Sequence, residues 1–336
     1  MKEIILISGV MGNLGHHLAN LCVAQGYQVI GLALPLESNK HLNTAVQIVR
    51  GNVCDSSSLE VFFKSAQGQA FSVIHTAGII SIQSKAEPRL WDVNVLGTQH
   101  MVEAAKAHGV KRFIYTSSVH ALPELNPGDP IFESSFNPSC PLVGYYSLSK
   151  QAATAYLLNE INVGFPGLIV YPSGIVSDVD SKEGLVAQMV KSYLKGSLRI
   201  SIAGGYDFVD VRDVTQAILT ILNLEKPHTS YILSNRYYSV QNLFDLLYQE
   251  THLTQVKIKI PLTVVRLSIP LLRLWSQITT KPQIFTQDSL HILNANCNFN
   301  HSLATQDFNY QPQDIQITLH DFIENYRLSI SSSKIH

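Results

Sequence analysis

Six short runs rich in Val and Ile punctuate the first half of this 336-residue chain: EIILIS (3–8), YQVIGLAL (27–34), VQIVRG (46–51), FSVIHTA (71–77), RFIYTSS (112–118) and GLIVYPS (167–173). Between most of them lie longer stretches of helical period, such as NLGHHLANLCVAQG (13–26) and LWDVNVLGTQHMVEAAKAHG (90–109). Strands alternating with helices imply a parallel sheet, doubly wound, with helices on both faces. Past residue 173 the rhythm breaks. Helical stretches dominate there, at about 183–195, 211–224, 240–251 and 314–327, with one late strand at SYILS (230–234). The expected architecture is a doubly wound α/β sheet over 1–173 and a smaller, mainly helical lobe over 174–336 that returns some elements to the sheet. Ligands of such sheets bind at the carboxyl ends of the strands. The lobe is expected to close over a small-molecule cleft there.

Composition narrows the partners. Hydrophobic residues make up 46% and charged residues 15%, and the formal net charge is −1 with no long run of one sign. Nothing in that balance points to nucleic acid. The opening MKEIILISG is too short and too quickly followed by glycines to read as a signal peptide. PLTVVRLSIPLLRLWSQI (261–278) carries Arg266, Pro270 and Arg273, so it reads as a buried or surface-lying helix, with a lipid- or substrate-facing flap as the alternative, rather than an integral membrane span. Cys22, Cys54, Cys140 and Cys297 are scattered, and no HExxH spacing occurs among the 13 histidines. No metal site is expected, and a cytoplasmic location is.

The first candidate for chemistry is ISGVMGNLGHH, with Gly9, Gly12 and Gly15 following the first strand and opening the first helix. Glycines there permit the tight turn and let backbone N–H groups approach a pyrophosphate at the positive helix end. The second is YYSLSKQAATAYL (145–157). At 3.6 residues per turn, Tyr146 and Lys150 lie within about 40° on one helix face, whereas Tyr145 is turned roughly 140° from the lysine. A Tyr/Lys pair alone is more often an ordinary surface pair than an active site.

The order of motifs raises that reading. GxxGxxG at 9–15 with Ser8 before it, GNVCD (51–55), HTAG (75–78), NVLGT (94–98), RFIYTSSV (112–119), Tyr146-Ser-Leu-Ser-Lys150 and YPSGIV (171–176) resemble, in order, the motifs of the extended short-chain dehydrogenase/reductase superfamily. Asn52 stands where that pattern has an aspartate, and the arginine usual before Pro172 is missing. GYDFVDVRDVTQAI, KPQIFTQDSLHIL (281–293) and DFNYQP (307–312) are similar to the branch with dihydroflavonol 4-reductase-like and 3β-hydroxysteroid dehydrogenase-like members. The resemblance implies a Rossmann fold binding NAD or NADP through Gly9, Gly12, Asn13, Leu14, Gly15, Asn52, Val53, Thr76, Ala77, Gly78, Asn94, Ser117, Tyr146, Lys150, Pro172 and Gly174. It also implies Ser118, Tyr146 and Lys150 as catalytic residues, and a homodimer through helices near 90–109 and 145–162.

A phenol ordinarily titrates near pH 10, and a neighbouring ammonium with a positive nicotinamide ring favours the phenolate. Tyr146 would then exchange a proton with a substrate oxygen while hydride moves. Ser118 would bond the substrate oxygen, Ser117 would lie nearer the cofactor, and Tyr145 would pack or form substrate wall. His120 reads as incidental or as a substrate contact. Asp210 and Asp213 fall at N-cap and N3 of a helix, a structural role, and Asp178, Asp180 and Glu183 read as a solvated loop. Glu37 and Lys40 argue oppositely about NAD against NADP, leaving the phosphate preference open. The expected activity is NAD(P)-dependent interconversion of a secondary alcohol and a carbonyl on a moderately apolar small molecule. The alternatives are a nucleotide-sugar epimerase or dehydratase, for which dispersed Arg199, Arg212 and Arg236 would have to converge, and a cofactor-sensing protein without turnover.

Overall fold

The computed structural model describes residues 3–38, 42–81, 87–179, 184–267 and 287–333. The six expected runs are strands: β1 Ile4–Ser8, β2 Gln28–Ala33, β3 Gln47–Arg50, β4 Phe71–His75, β5 Arg112–Thr116 and β6 Gly167–Pro172. Short strands β7 (Gly174–Val176), β8 (Ile200–Ile202) and β9 (Gly205–Asp210) follow, then β10 (Ser230–Leu233), β11 (Arg236–Ser239) and β12 (Ile258–Ile260). The main sheet has the order β10-β6-β5-β4-β1-β2-β3, with every pair parallel. The late strand β10 therefore extends the edge beyond β6. Chain order reverses between β1 and β4, which is where such a sheet opens a crevice at its carboxyl end.

The helices are α1 (Asn13–Ala24), α2 (Ser56–Lys64), α3 (Pro88–Trp91), α4 (Gly97–Ala107) and α5 (Tyr145–Asn162). In the second half they are α6 (Leu185–Leu194), α7 (Val211–Asn223), α8 (Val240–Thr251), α9 (Gln287–Ile292), α10 (Ser302–Phe308) and α11 (Ile315–Ser333). β1 is buried at all five positions, as a strand covered on both faces must be. Its period of two sorts the core. Ile4 and Leu6 join Phe62 and Phe63 of α2 and Met101 of α4. Ile5 and Ile7 join Leu18 and Cys22 of α1 and Val214 and Ile218 of α7.

The stretch read as one helix over 90–109 is interrupted. Asp92–Leu96 forms a π-helical turn between α3 and α4, a local widening that often accompanies functional side chains. Here it carries Asn94.

A charge cluster around the buried Asp210 ties elements of the second half together. Asp210 caps α7 through the Arg212 N–H at 2.6 Å. Its carboxylate also accepts from the Arg212 guanidinium, Gln313 Nε2 and Thr318 Oγ1. Arg212 reaches on to Asp321, so α7 and α11 are clasped together. Asp213 lies at N3 but accepts from the Gln313 N–H at 2.9 Å rather than from its own helix. Asp178 departs from the solvated loop expected of it: it is half-buried and bonds His17 Nε2 at 2.9 Å. Asp180 and Glu183 lie outside the described residues, as do most of 261–278 and the first part of 281–293. No helix among the described residues is long and apolar enough to cross a membrane.

Candidate active site

The glycine loop leaves β1 at Ser8. Gly9 has φ +69°, and a Cβ on it would lie 2.7 Å from the Ala77 backbone at the end of β4, so only glycine fits. Gly12 N–H donates to Gly9 O at 2.9 Å. A Cβ on Gly15 would come within 2.2 Å of that same oxygen. These close approaches fold the turn so that α1 starts at Asn13 with its first-turn amides unopposed: Gly12 gives no side-chain cap and no acidic residue occupies the first turn. Asn13 Oδ1 is buried without a partner among the described residues. Leu14 packs into the core.

Thr76 donates its hydroxyl to Ser8 O at 2.7 Å, and the Ala77 N–H reaches Ser8 Oγ at 3.4 Å. Behind them runs a buried chain whose direction can be worked out. Thr98 Oγ1 donates to Asn94 O at 2.7 Å, so it accepts from His75 Nε2–H at 3.0 Å. His75 Nδ1 then accepts from Ser8 Oγ–H at 2.6 Å. Burial, with the nearby Lys150 charge, holds His75 neutral by lowering its pKa to about 3. Asn94 bonds both backbone groups of Ile79 and donates to Ser149 Oγ, which donates to Tyr146 O. The glycine loop and the start of α5 are thus linked through side-chain hydrogen bonds.

At the start of α5, Lys150 is buried and donates to Thr116 O at 2.8 Å, at the end of β5. Its ammonium also lies 4.9 Å from the centre of the Tyr115 ring. Gly78 stands over it: a Cβ there would lie 3.6 Å from Lys150 Nζ and 3.3 Å from Asn94 Oδ1. Thr116 Oγ1 is buried without a partner among the described residues.

Ser118 Oγ accepts from the His120 N–H at 3.2 Å and lies next to the Tyr146 phenol. Burial raises Tyr146 to about 12, opposed by the Ser118 hydroxyl, and burial lowers Lys150 to about 7. The expectation that the lysine lowers the tyrosine is therefore not met by this chain's own groups. Desolvation dominates both residues, and a lysine titrating near neutrality offers less positive charge.

Of the candidate catalytic residues, Ser118 lies against Tyr146, while Lys150, one turn further along α5, is held at the end of β5 with Gly78 above it and Asn94 beside Gly78. Other candidates are engaged elsewhere. Ser117 Oγ bonds Thr154 Oγ1 of α5 at 2.7 Å, bracing the helix. Val53 is buried against Gly97, and Asn52 Oδ1 accepts from Cys54 N–H within its own turn. Pro172 ends β6, and Gly174 is required by packing, since its Cβ would sit 2.9 Å from Asp207 O. Tyr145 packs on Trp91.

Two residues had escaped assignment. Tyr206 on β9 shares a 2.8 Å hydrogen bond with His120 Nε2, their rings within 12° of parallel, and the His120 and Tyr146 rings meet edge to face. Burial holds His120 neutral, near 4. The pair lines a cleft whose remaining wall is largely apolar, including Val119, Leu142, Ile292 and Phe299, and which contains no Arg or Lys among the described residues. Arg212 and Arg236 are bound to carboxylates, and Arg199 bonds its own loop. The second unforeseen residue, Arg50, meets the loop after β2.

These features fit a dinucleotide: a glycine turn presenting free helix amides, and an open glycine above a buried lysine. Comparison with known proteins agrees. "Sterol demethylase protein B" of Methylococcus capsulatus is 26% identical over 261 residues, covering 76% of this chain and 77% of that one. A Synechocystis protein provisionally named dihydroflavonol 4-reductase is 28% identical over 267 residues, covering 78% and 76%. The solved structure of gox2253 shares the fold, with a TM-score of 0.82 at 22% identity over 98% of this chain and 99% of that one. The family model for NAD dependent epimerases and dehydratases matches residues 5–233, from the glycine-loop strand through the Tyr/Lys helix to the last strand of the sheet. The chain belongs to the NAD dependent epimerase/dehydratase family.

Proposed function

We propose that this chain is an NAD(P)-dependent oxidoreductase that interconverts a secondary alcohol and a carbonyl on a small, moderately apolar substrate. The observation that carries the reading is the cleft next to the His120–Tyr206 pair that faces Tyr146: most of its wall is apolar, its charged groups are Glu124 and the His291 paired with it, and no Arg or Lys lies among its described lining residues. A nucleoside diphosphate there would find Glu124 but no Arg or Lys among the described lining residues to offset its desolvation. The names of the two relatives, a sterol-processing protein and a reductase, point the same way.

In this reading the bound nicotinamide supplies or accepts hydride. Ser118 Oγ–H positions the substrate oxygen. Tyr146, protonated at neutral pH because burial holds it near 12, donates its proton to that oxygen as the carbonyl is reduced. In the oxidative direction Tyr146 takes the proton back, and an oxidised, positively charged cofactor would favour the phenolate this requires. Lys150, fixed by Thr116 O, lies beneath Gly78, where it would bond the nicotinamide ribose. Substrate and dinucleotide meet at the carboxyl ends of β4, β5 and β6.

A panel of ketones and aldehydes with NADPH or NADH tests this, using wild type and Tyr146→Phe. Turnover of an apolar carbonyl that falls about 10²- to 10⁴-fold in the variant, with cofactor affinity unchanged, is expected. Full activity in Tyr146→Phe would sink the assignment. The family's epimerase and dehydratase chemistry supports a second reading, nucleotide-sugar epimerisation with the same three residues. That reading requires turnover of a nucleotide sugar with no net consumption of cofactor.

A further inference from the structure

The end of β2 is where a Rossmann sheet meets the adenosine ribose: an acidic side chain there accepts the 2′-hydroxyl of NAD, and an arginine accommodates the 2′-phosphate of NADP. In this chain β2 ends at Ala33, followed by Leu34 and Pro35, which offer neither. The nearest carboxylate on the loop, Glu37, turns back and accepts from the Leu34 N–H at 3.0 Å. Asp55, beyond β3, is engaged as the cap of α2 by Ser57 and Ser58. Lys40 lies outside the described residues.

The cation comes from the next strand. Arg50 ends β3 and pairs in register with Ala33. Its Nη1 donates to Leu34 O at 2.9 Å and to Glu37 O at 2.8 Å, which pins the guanidinium to the tip of β2. Arg50 is exposed. Among the described residues it makes no ion pair, and its Nε and Nη2 make no hydrogen bond. That edge of the fork is the one that binds phosphate oxygens two at a time. Two backbone carbonyls thus hold the guanidinium with that edge unoccupied, while the nearby carboxylates, Glu37 and Asp55, are held in the Leu34 turn and the α2 cap rather than paired with it.

We propose that the chain prefers NADP(H) to NAD(H), and that Arg50 reads the 2′-phosphate. The proposal rests on the dinucleotide-binding reading given above. A charge-assisted pair at an exposed edge corresponds to about a 10- to 100-fold difference in affinity.

The test is equilibrium binding of NADPH and NADH, followed by nucleotide fluorescence, to wild type, Arg50→Ala and Arg50→Gln. Arg50→Gln retains an amide donor for the loop carbonyls, so loss of the charge can be separated from loss of the brace. Thermal melting establishes that each variant is folded. Wild type is expected to bind NADPH at least about 10-fold more tightly than NADH, with an NADPH affinity that weakens more steeply with salt. Both variants should lose that margin while their NADH affinity stays the same. Equal or tighter NADH binding by wild type overturns the proposal and leaves dinucleotide binding intact. A parallel loss of both cofactors in both variants also overturns it, making Arg50 a brace only. Failure of wild type to bind either cofactor overturns the dinucleotide reading itself.

Discussion

Gly12 and Gly15 occupy the same motif but should fail differently when replaced by alanine. At Gly15 the added Cβ would lie 2.2 Å from Gly9 O and 2.9 Å from both Gly9 C and Val10 Cα. All three are backbone atoms of a turn held by the Gly12 N–H bond to Gly9 O and by Gly9 at positive φ. Relief to ordinary contact needs a shift of more than about 1 Å in either the turn or the start of α1, which is locked into the core by Leu14 and Leu18. Overpacking of that kind costs about 1–3 kcal/mol, a fall in Tm of about 2–5 °C for a chain of this size. At Gly12 the Cβ meets only Gly9 O, at 3.1 Å, and otherwise projects into open space before the helix amides. Its φ of −73° suits any residue, so stability should stay within about 1 kcal/mol of wild type. Both variants should bind a nicotinamide dinucleotide at least about 10-fold more weakly, a loss of about 1.4 kcal/mol. Differential scanning calorimetry and a dinucleotide titration on the same samples separate the two effects. Wild-type affinity in Gly12→Ala would refute the idea that the turn's open face receives the pyrophosphate. Wild-type stability in Gly15→Ala would refute the packing argument.

Thr98→Val keeps shape but leaves His75 Nε2–H buried and unpaired, so stability should fall by about 1–3 kcal/mol, measured by urea unfolding. His75 has a folded pKa lowered to about 3. Its contribution to stability is therefore complete above its ordinary pKa near 6.5 and is lost as pH falls from there toward the folded value. A His75→Asn variant should show an acid dependence shallower by one proton, about 1.4 kcal/mol per pH unit between pH 6 and 4. Identical slopes in the two proteins would contradict a buried neutral imidazole. Asp210→Ala strips Arg212 and two further donors of their acceptor and should cost about 3–5 kcal/mol, read from unfolding.

Much of the sheet was legible because its signal is local. The run FSVIHTA contains Phe71–His75 and GLIVYPS contains Gly167–Pro172, since strands buried on both faces read as continuous apolar runs. Helix spacing and motif order single out Tyr146, Lys150 and Ser118 as candidates. What escaped depends on contacts across long stretches of chain. Arg50 serves a loop 13 to 16 residues before it, and nothing in VQIVRG marks its last side chain as turned toward Leu34 and Glu37. Tyr206 finds His120 from 86 residues away. Strand alternation separated Ser117 from Ser118, but only the structure places Thr154 where it takes the Ser117 hydroxyl. The chain's own groups alone do not lower Tyr146 because spacing fixes the Tyr/Lys pairing, whereas the burial that dominates both groups is a property of the whole fold.

The most direct test of the central claim is to denature freshly purified protein, quantify released nicotinamide dinucleotide, and follow added NADPH and NADH as apolar carbonyls are offered to the native protein. An exchanging oxidoreductase predicts well under one dinucleotide per chain and net oxidation of the added cofactor that depends on Tyr146. One NAD retained per chain, with nucleotide sugars interconverted and no net oxidation, would contradict it.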